Sequence, residues 1–239
     1  MASGIYIAMT GAKAQQDALD VTSSNIANAS TVGYKAERIT FQKALAQAAS
    51  QDSAFVAATT GATDERPGEL IQTDNPLDLA LVGDGWFSVD TPNGVRYTRA
   101  GNFRLDPAGT IVNADGHAAR ATGGGTIVVP AGAAQVAVGA DGTVSVDGQP
   151  LGGLELSRFA PGDLGREGAS LFVANTAPSA VAPGELEVVS GALEGSNFEI
   201  IRGMIDLVKV SRSYEALHRM IESYRQIDER TARSIGGPG

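Results

Sequence analysis

The 239 residues contain no cysteine, which excludes disulfide frameworks and thiolate metal sites. The redox compartment stays open, because an oxidising compartment permits disulfides without requiring them. No stretch is apolar for the roughly 18 residues that a membrane-spanning helix needs, so membrane insertion is not expected. Residues 1–16 lack the basic segment and continuous apolar core of a secretory signal. Any export is therefore expected to keep the N-terminus. Histidine is nearly absent, at His117 and His218 only. There is no HExxH, no cysteine motif and no D-x-D-x-D-G calcium loop, so no metal or cofactor is expected. Asp84, Asp115, Asp141 and Asp147 could be imagined as a carboxylate pair, but each lies in an Asp-Gly step that turn geometry already explains. Gly83-Asp84-Gly85 lacks the third glycine and following helix of a phosphate loop. With no nucleophile and base set, an enzyme is not expected.

Other scarcities are local. Of 30 glycines 23 lie between residues 46 and 195, as do nine of 10 prolines, so the two ends are nearly free of helix breakers. Acidic excess is local too. The net charge of −9 divides into +1 for residues 1–45, −11 for 46–195 and +1 for 196–239. So acidic a middle is a poor partner for nucleic acid or anionic lipid, whereas the near-neutral ends can approach copies of themselves.

What the ends do contain is helical spacing. Ile5, Met9, Ala12, Gln16, Leu19, Ser23 and Ile26 step by four and three, the a/d spacing of a helix seam, with Gln16 and Ser23 as polar interruptions. Met204, Leu207, Ser211, Tyr214, Leu217, Ile221 and Tyr224 repeat the pattern, with Arg212, Glu215, Arg219, Glu222 and Arg225 opposite. Spacing alone favours an intramolecular helix pair, and the position of the two stripes at the extreme ends makes a shared bundle the alternative. The first helix is expected to break at Asn28-Ala29-Ser30-Thr31-Val32-Gly33. A weaker element is expected over residues 34–45, with Tyr34, Phe41 and Leu45 as its apolar contacts. Residues 50–64 are small, polar and unpatterned, and read as an extended connector. Ser196 or Asn197 suits the N-cap of the last helix, with Glu199 near its positive end. For Asn25 and Asn28, pairing with backbone or a neighbouring subunit and simple turn chemistry are both open.

The middle reads as β. Leu77, Leu79, Leu81, Trp86, Phe87 and Val89 make strand-length apolar pieces. Asn93-Gly94, Asp115-Gly116, Asp141-Gly142 and Asp147-Gly148 are hairpin signals of the type I′ kind. The fold class expected is α+β. Terminal helices pair in a coiled-coil-like bundle, and the central, mostly antiparallel β-domain is a meander or small barrel. The expected division is a discontinuous helical domain of residues 1–45 and 196–239, a connector at 46–76 and a β-domain at 77–195.

Three segments carry a resemblance. Ser24-Asn25-Ile26-Ala27-Asn28-Ala29-Ser30-Thr31-Val32-Gly33-Tyr34-Lys35 is similar to the N-terminal signature of flagellar rod and hook proteins. Residues 78–89, including Gly83, Gly85, Trp86 and Phe87, followed by Tyr97-Thr98-Arg99-Ala100-Gly101-Asn102-Phe103, resemble the family's β-domain motif. Glu194-Gly195-Ser196-Asn197-Phe198, with Met204 and Tyr214-Glu215-Ala216, resembles its C-terminal segment. Trp86 and Phe198 depart from the usual Phe and Val. Chain length and Glu-Gly-Ser-Asn point within the flagellar basal-body rod family to a proximal rod subunit.

The resemblance implies a structural axial subunit for motility, in a periplasmic rod. It implies delivery by the flagellar type III export machinery without a cleaved signal peptide, and helical polymerisation through an inner layer of terminal helices with the β-domain outside. The implied partners are copies of itself and other rod proteins, with no nucleic acid and no small-molecule substrate. A distal rod or other rod or hook subunit is the near alternative. A secreted β module that binds a wall polymer is the distant one, and it would display aromatics on its surface.

Overall fold

The computed structural model describes residues 2–45, 54–179, 181 and 184–235. They divide into two compact units. A helical unit takes the described residues of Met1–Ala27, Glu37–Ala62 and Glu199–Gly239, and a β unit takes those of Asn28–Ala36 and Thr63–Phe198.

In the helical unit, α1 (Ala2–Ala27) and α2 (Ile200–Ile235) pack on each other. Alanine, the strongest helix former, recurs through α1, which stops where the asparagine, serine and glycine run begins. Residues 34–45 do contain an element, and it is the strand Glu37–Leu45. The side chains of Phe41 and Leu45 lie outside the described residues. Residues 54–63 of the expected connector form a second strand, Ala54–Thr63, paired with the first in a two-stranded sheet. This strand was invisible to a search for apolar period, because a backbone ladder can form without a hydrophobic face.

The β unit is antiparallel and open, so of the two expected forms the barrel is not the one adopted. Its largest sheet has a central pair, Trp86–Thr91 with Gly94–Thr98, extended on one side by Leu171–Ala174 and Leu164–Arg166. On the other side come Ala118–Ala119, Ile111–Val112 and Arg104–Leu105. A meander of Val136–Val138, Thr143–Val146 and Gln149–Gly153 forms a second sheet. Two long-range pairs close the unit. Leu79–Val82 pairs with Glu187–Ser190, and Leu70–Gln72 with Ala192–Glu194.

The turns refine the hairpin reading. Of the four Asn-Gly and Asp-Gly pairs, only Asp147 (52°) and Gly148 (79°) both have positive φ, the I′ geometry. At Asn93-Gly94, Asp115-Gly116 and Asp141-Gly142 the glycine alone is left-handed, as in a type I turn that ends in a bulge. The carboxylate of Asp141 accepts hydrogen bonds from the Thr143 amide (3.0 Å) and hydroxyl (2.7 Å), which hold it below the usual aspartate range. Asp147 accepts from the amides of Ala134 (3.1 Å) and Gln135 (2.9 Å). These aspartates are engaged in closing turns.

Two apolar clusters fill the unit. The larger gathers Leu79, Leu81, Phe87, Phe103, Ile111, Ile127 and Val144, with Phe87 and Phe103 edge to face at 5.3 Å. The smaller gathers Trp86, Tyr97, Phe159, Leu164 and Phe172. Its ring pairs are Trp86 with Phe172 at 4.7 Å and Tyr97 with Phe159 at 4.6 Å, spacings at which aromatic pairs attract beyond simple burial.

Candidate functional site

Two places concentrate the residues singled out in the sequence. The first is the pair of terminal helices. On α2, Leu207, Ser211, Tyr214, Leu217, Ile221 and Tyr224 are partly buried along one stripe, and Met204 is exposed. On α1 the inward face lies about one position ahead of the apolar stripe. Ala8, Ala12, Ala14 and Ala18 are buried, Gly4 sits under the Tyr224 ring and Gly11 under the Leu217 side chain. A Cβ at Gly4 would come within 3.1 Å of that ring.

Small residues let the helices approach, and large ones stay outside. Ile5, Leu19 and Ile26 are half-buried, whereas Met9, Gln16 and Ser23 are exposed. Tyr6, Ile7 and Met9 on α1 remain in solvent, as do Ile200, Ile201, Met204, Ile205, Val208, Met220 and Ile227 on α2. Such a density of exposed large apolar side chains is unusual on the surface of a single chain. His218 packs its ring against Tyr214 at 4.4 Å.

Asn25 is buried at the end of α1. Its side-chain amide donates to the Glu37 carbonyl (2.9 Å) and accepts from the Glu37 amide (2.9 Å), imitating a strand partner. It serves a backbone, the first of its two readings. Asn28 closes the turn with Thr31, whose hydroxyl donates to its Oδ1 (3.1 Å).

The second place lies in the β unit, where the three motif segments meet on a buried ion cluster. Glu194, from the third motif, accepts from Lys35 Nζ of the first (2.6 Å) and from Arg99 Nη1 of the second (3.2 Å). All three side chains are at most 5% exposed. Lys35 also donates to the Arg66 carbonyl (2.9 Å), and the Gly68 amide donates to Glu194 Oε1 (2.9 Å). Arg99 donates to the carbonyls of Leu81 (3.0 Å) and Gly83 (2.6 Å), and its guanidinium stands 5.5 Å from the Trp86 ring centroid. Burial pushes the Lys35 ammonium below the ordinary lysine value, and Glu194 partly restores it.

Main-chain contacts reinforce the junction. The Gly33 amide donates to the Glu194 carbonyl (2.7 Å). Gly33 has φ of 66°, and a Cβ there would lie 2.2 Å from the Ala100 nitrogen; at Gly101 it would lie 1.6 Å from the Leu79 oxygen. Both positions need glycine because backbone occupies the space where a side chain would begin. The Thr98 hydroxyl accepts from the Ala100 amide (2.9 Å), and the Arg166 guanidinium lies over the rings of Tyr34 (4.7 Å) and Phe172 (5.0 Å). Gly83 and Gly85 abut Leu186.

One expectation is corrected here. Asn197 does not cap the last helix. α2 begins at Ile200, and its first backbone bond runs from the Gly203 amide to the Glu199 carbonyl (2.9 Å), three residues beyond Ser196. The Asn197 amide instead accepts from the Ala36 amide (2.7 Å) and donates to the carbonyls of Asp64 (2.7 Å) and Arg66 (2.9 Å), which ties the residue before the first strand to the segment after the second. The Ser196 hydroxyl accepts from the Phe198 amide (3.3 Å).

Reading by residue type passed over Lys35 and Glu194 as site residues. The available signal was a charge carried inside segments otherwise made of small, apolar and turn-forming residues. Chemically the cluster is a structural clamp: its charges are held by one another and by backbone, with Arg99 Nε buried and unpartnered, and the tryptophan beside it is 3% exposed. The surface aromatic display that a glycan binder needs is not built from Trp86.

Comparison with known proteins bears on both places. Residues 5–35 match the family "Flagella basal body rod protein", 80–146 match "Flagellar hook protein FlgE/F/G D1 domain", and 189–234 match "Flagellar basal body rod FlgEFG protein C-terminal". The chain is 30% identical to the flagellar basal-body rod protein FlgF of Rhizobium meliloti, over 99% of each chain. To FlgF of Escherichia coli it is 33% identical, over 98% of this chain and 97% of that one. To the flagellar basal-body rod protein FlgG of Bacillus subtilis it is 34% identical, over 95% and 97%.

Proposed function

Because this chain belongs to the flagellar basal-body rod protein family, and is thereby a non-enzymatic structural subunit of the flagellar basal body, we propose that it is the FlgF-type subunit of the proximal rod. The FlgF reading is supported by coverage: the FlgF relatives of Rhizobium meliloti and Escherichia coli match 99% and 98% of this chain, the FlgG of Bacillus subtilis 95%.

In this reading the terminal helices polymerise as the inner layer of the rod, and the acidic β unit forms its outer layer. The observation that carries it is the inverted burial of the helical unit, with alanine and glycine inside and Tyr6, Met9, Ile201, Met204 and Val208 in solvent. Fully burying one such large apolar side chain contributes about 1.5–3 kcal/mol. Copies of the chain and the other rod subunits are the surfaces that cover them. Delivery is through the flagellar type III export machinery into the periplasm, with α1 retained. Removing the first helix would strip the face that receives Leu217 and Tyr224.

The test is Leu207→Asp, which places a charge in the partly buried stripe. The expected result is loss of the chain from isolated basal bodies and loss of motility, with the near-ultraviolet dichroism of the β unit unchanged. Normal rods and normal motility would refute the reading.

A further inference from the structure

The β unit carries an open groove of about 340 Å³ beside the ion cluster. Pro67, Leu70, Leu81 and Val82 supply its apolar wall, while Glu65 and Asp84 place carboxylates on it. Leu70 (47%) and Val82 (43%) are among the exposed large apolar residues of this unit. Leu70 lies on the short strand Leu70–Gln72, which pairs on one side only among the described residues. The one guanidinium in the groove, that of Arg99, gives its two terminal nitrogens to Glu194 and two carbonyls, and its Nε is buried without a partner. The lining therefore sets the carboxylates of Glu65, Asp84 and Glu194 against a single cation, an apolar slot with net negative charge.

The matching chemistry is an exposed aliphatic side chain with a cation next to it. The helical unit presents that pair on the first turn of α2, where Ile201, at 78% the most exposed large apolar residue described, is followed by the exposed Arg202. Groove and knob are different patches of the same chain, so joining them between copies makes a heterologous contact, the kind that propagates a filament instead of closing a dimer.

We propose that Ile201 and Arg202 of one copy dock in the Leu70–Val82–Asp84 groove of the next copy, Ile201 on the apolar wall and Arg202 beside Asp84 and Glu65. The inference rests on the rod-subunit reading and specifies one contact within it.

The absence of native cysteine makes disulfide trapping direct. A tagged chain carrying Val82→Cys and an untagged chain carrying Ile201→Cys are produced together in cells lacking the native gene, and isolated basal bodies are oxidised. The expected product is a disulfide dimer of tagged and untagged chains, absent from dilute monomer and absent when Met220→Cys replaces Ile201→Cys. Leu70→Cys should trap the same partner, which guards against a fold defect at Val82. Asp84→Arg should lower the dimer yield about fivefold, the scale of one exposed ion pair, and Arg202→Asp in the partner should restore it.

Three results would overturn the docking: both chains in the basal bodies without cross-link, equal cross-linking through Met220→Cys, or a double-cysteine chain that bridges within itself in dilute monomer. Absence of the unsubstituted chain from basal bodies would instead defeat the rod-subunit reading.

Discussion

In the β unit the residues withdrawn from solvent include Phe87, Phe172, Leu79, Ile111 and Val144, each nearly inaccessible; among the described residues of the helical unit they are four alanines, Asn25 and Gly203, while Met9, Ile201 and Met204 stay wet. The β unit buries its two apolar clusters within one chain and leaves only scattered large apolar residues, Leu70, Ile71 and Val82 among them, in solvent. The helical unit uses small residues for close approach and leaves many of its large ones, such as Met9, Ile201 and Met204, exposed; in the reading proposed above those are covered by neighbouring subunits. A protein can thus divide the work of folding from that of assembly between two units of different composition. The separation of charge, −11 in residues 46–195 against +1 at each end, runs along the same line.

The contrast can be broken from the β side most severely at the ion cluster. Glu194→Ala would leave Lys35 and Arg99 buried without their carboxylate, and the loss expected for stripping one partner from a buried pair is about 3–5 kcal/mol. Thermal unfolding followed by Trp86 fluorescence measures it. A transition unchanged by the substitution would mean that the cluster is solvated. Phe172→Ala, which empties the centre of the smaller aromatic cluster, is expected to cost about 3–5 kcal/mol or slightly less, again in the β transition. In the helical unit Met204→Ser should change monomer stability by less than about 0.5 kcal/mol yet reduce incorporation into basal bodies, and a large stability loss would show Met204 to be interior.

Amide exchange on dilute monomer sharpens the comparison further. Protection over residues 5–26 should fall well below that over 86–98, since a unit with little apolar burial opens more easily. The smallest effect concerns acid. Asp141 titrates below its ordinary value because its Thr143 hydrogen bonds favour the charged form. Its contribution is therefore complete above a pH of about 3.8 and is lost as pH falls through the lower folded value. Replacing it with asparagine should flatten the acid limb of the stability curve slightly.

Much of this architecture was legible in the sequence. The glycine and proline distribution separated helix from sheet, and the α2 stripe was readable because Leu207, Tyr214, Leu217 and Tyr224 are large. The inward face of α1 was not, since Gly4, Ala8, Gly11 and Ala18 give little hydrophobic contrast and the eye follows Ile5, Met9 and Leu19. The strand Ala54–Thr63 lacked a period to find. Asn197 misled because local chemistry favours it as a cap, while its actual partners, Asp64, Arg66 and Ala36, lie 133, 131 and 161 residues away. The ion cluster was hidden for the same reason: its charges are scattered along the chain, and only folding brings them within bonding distance.

That scattering has a temporal consequence. Lys35 and Arg99 precede Glu194 by 159 and 95 residues. A chain that emerges N-terminus first, from a ribosome or from a narrow conduit, holds two cations destined for burial and no carboxylate to receive them until residue 194 appears. Before that moment, closing the β unit would strand both charges in a low-dielectric interior, at the several kcal/mol per ion that desolvation costs. The carboxylate that makes burial of these two cations tolerable is thus the last member of the cluster to emerge.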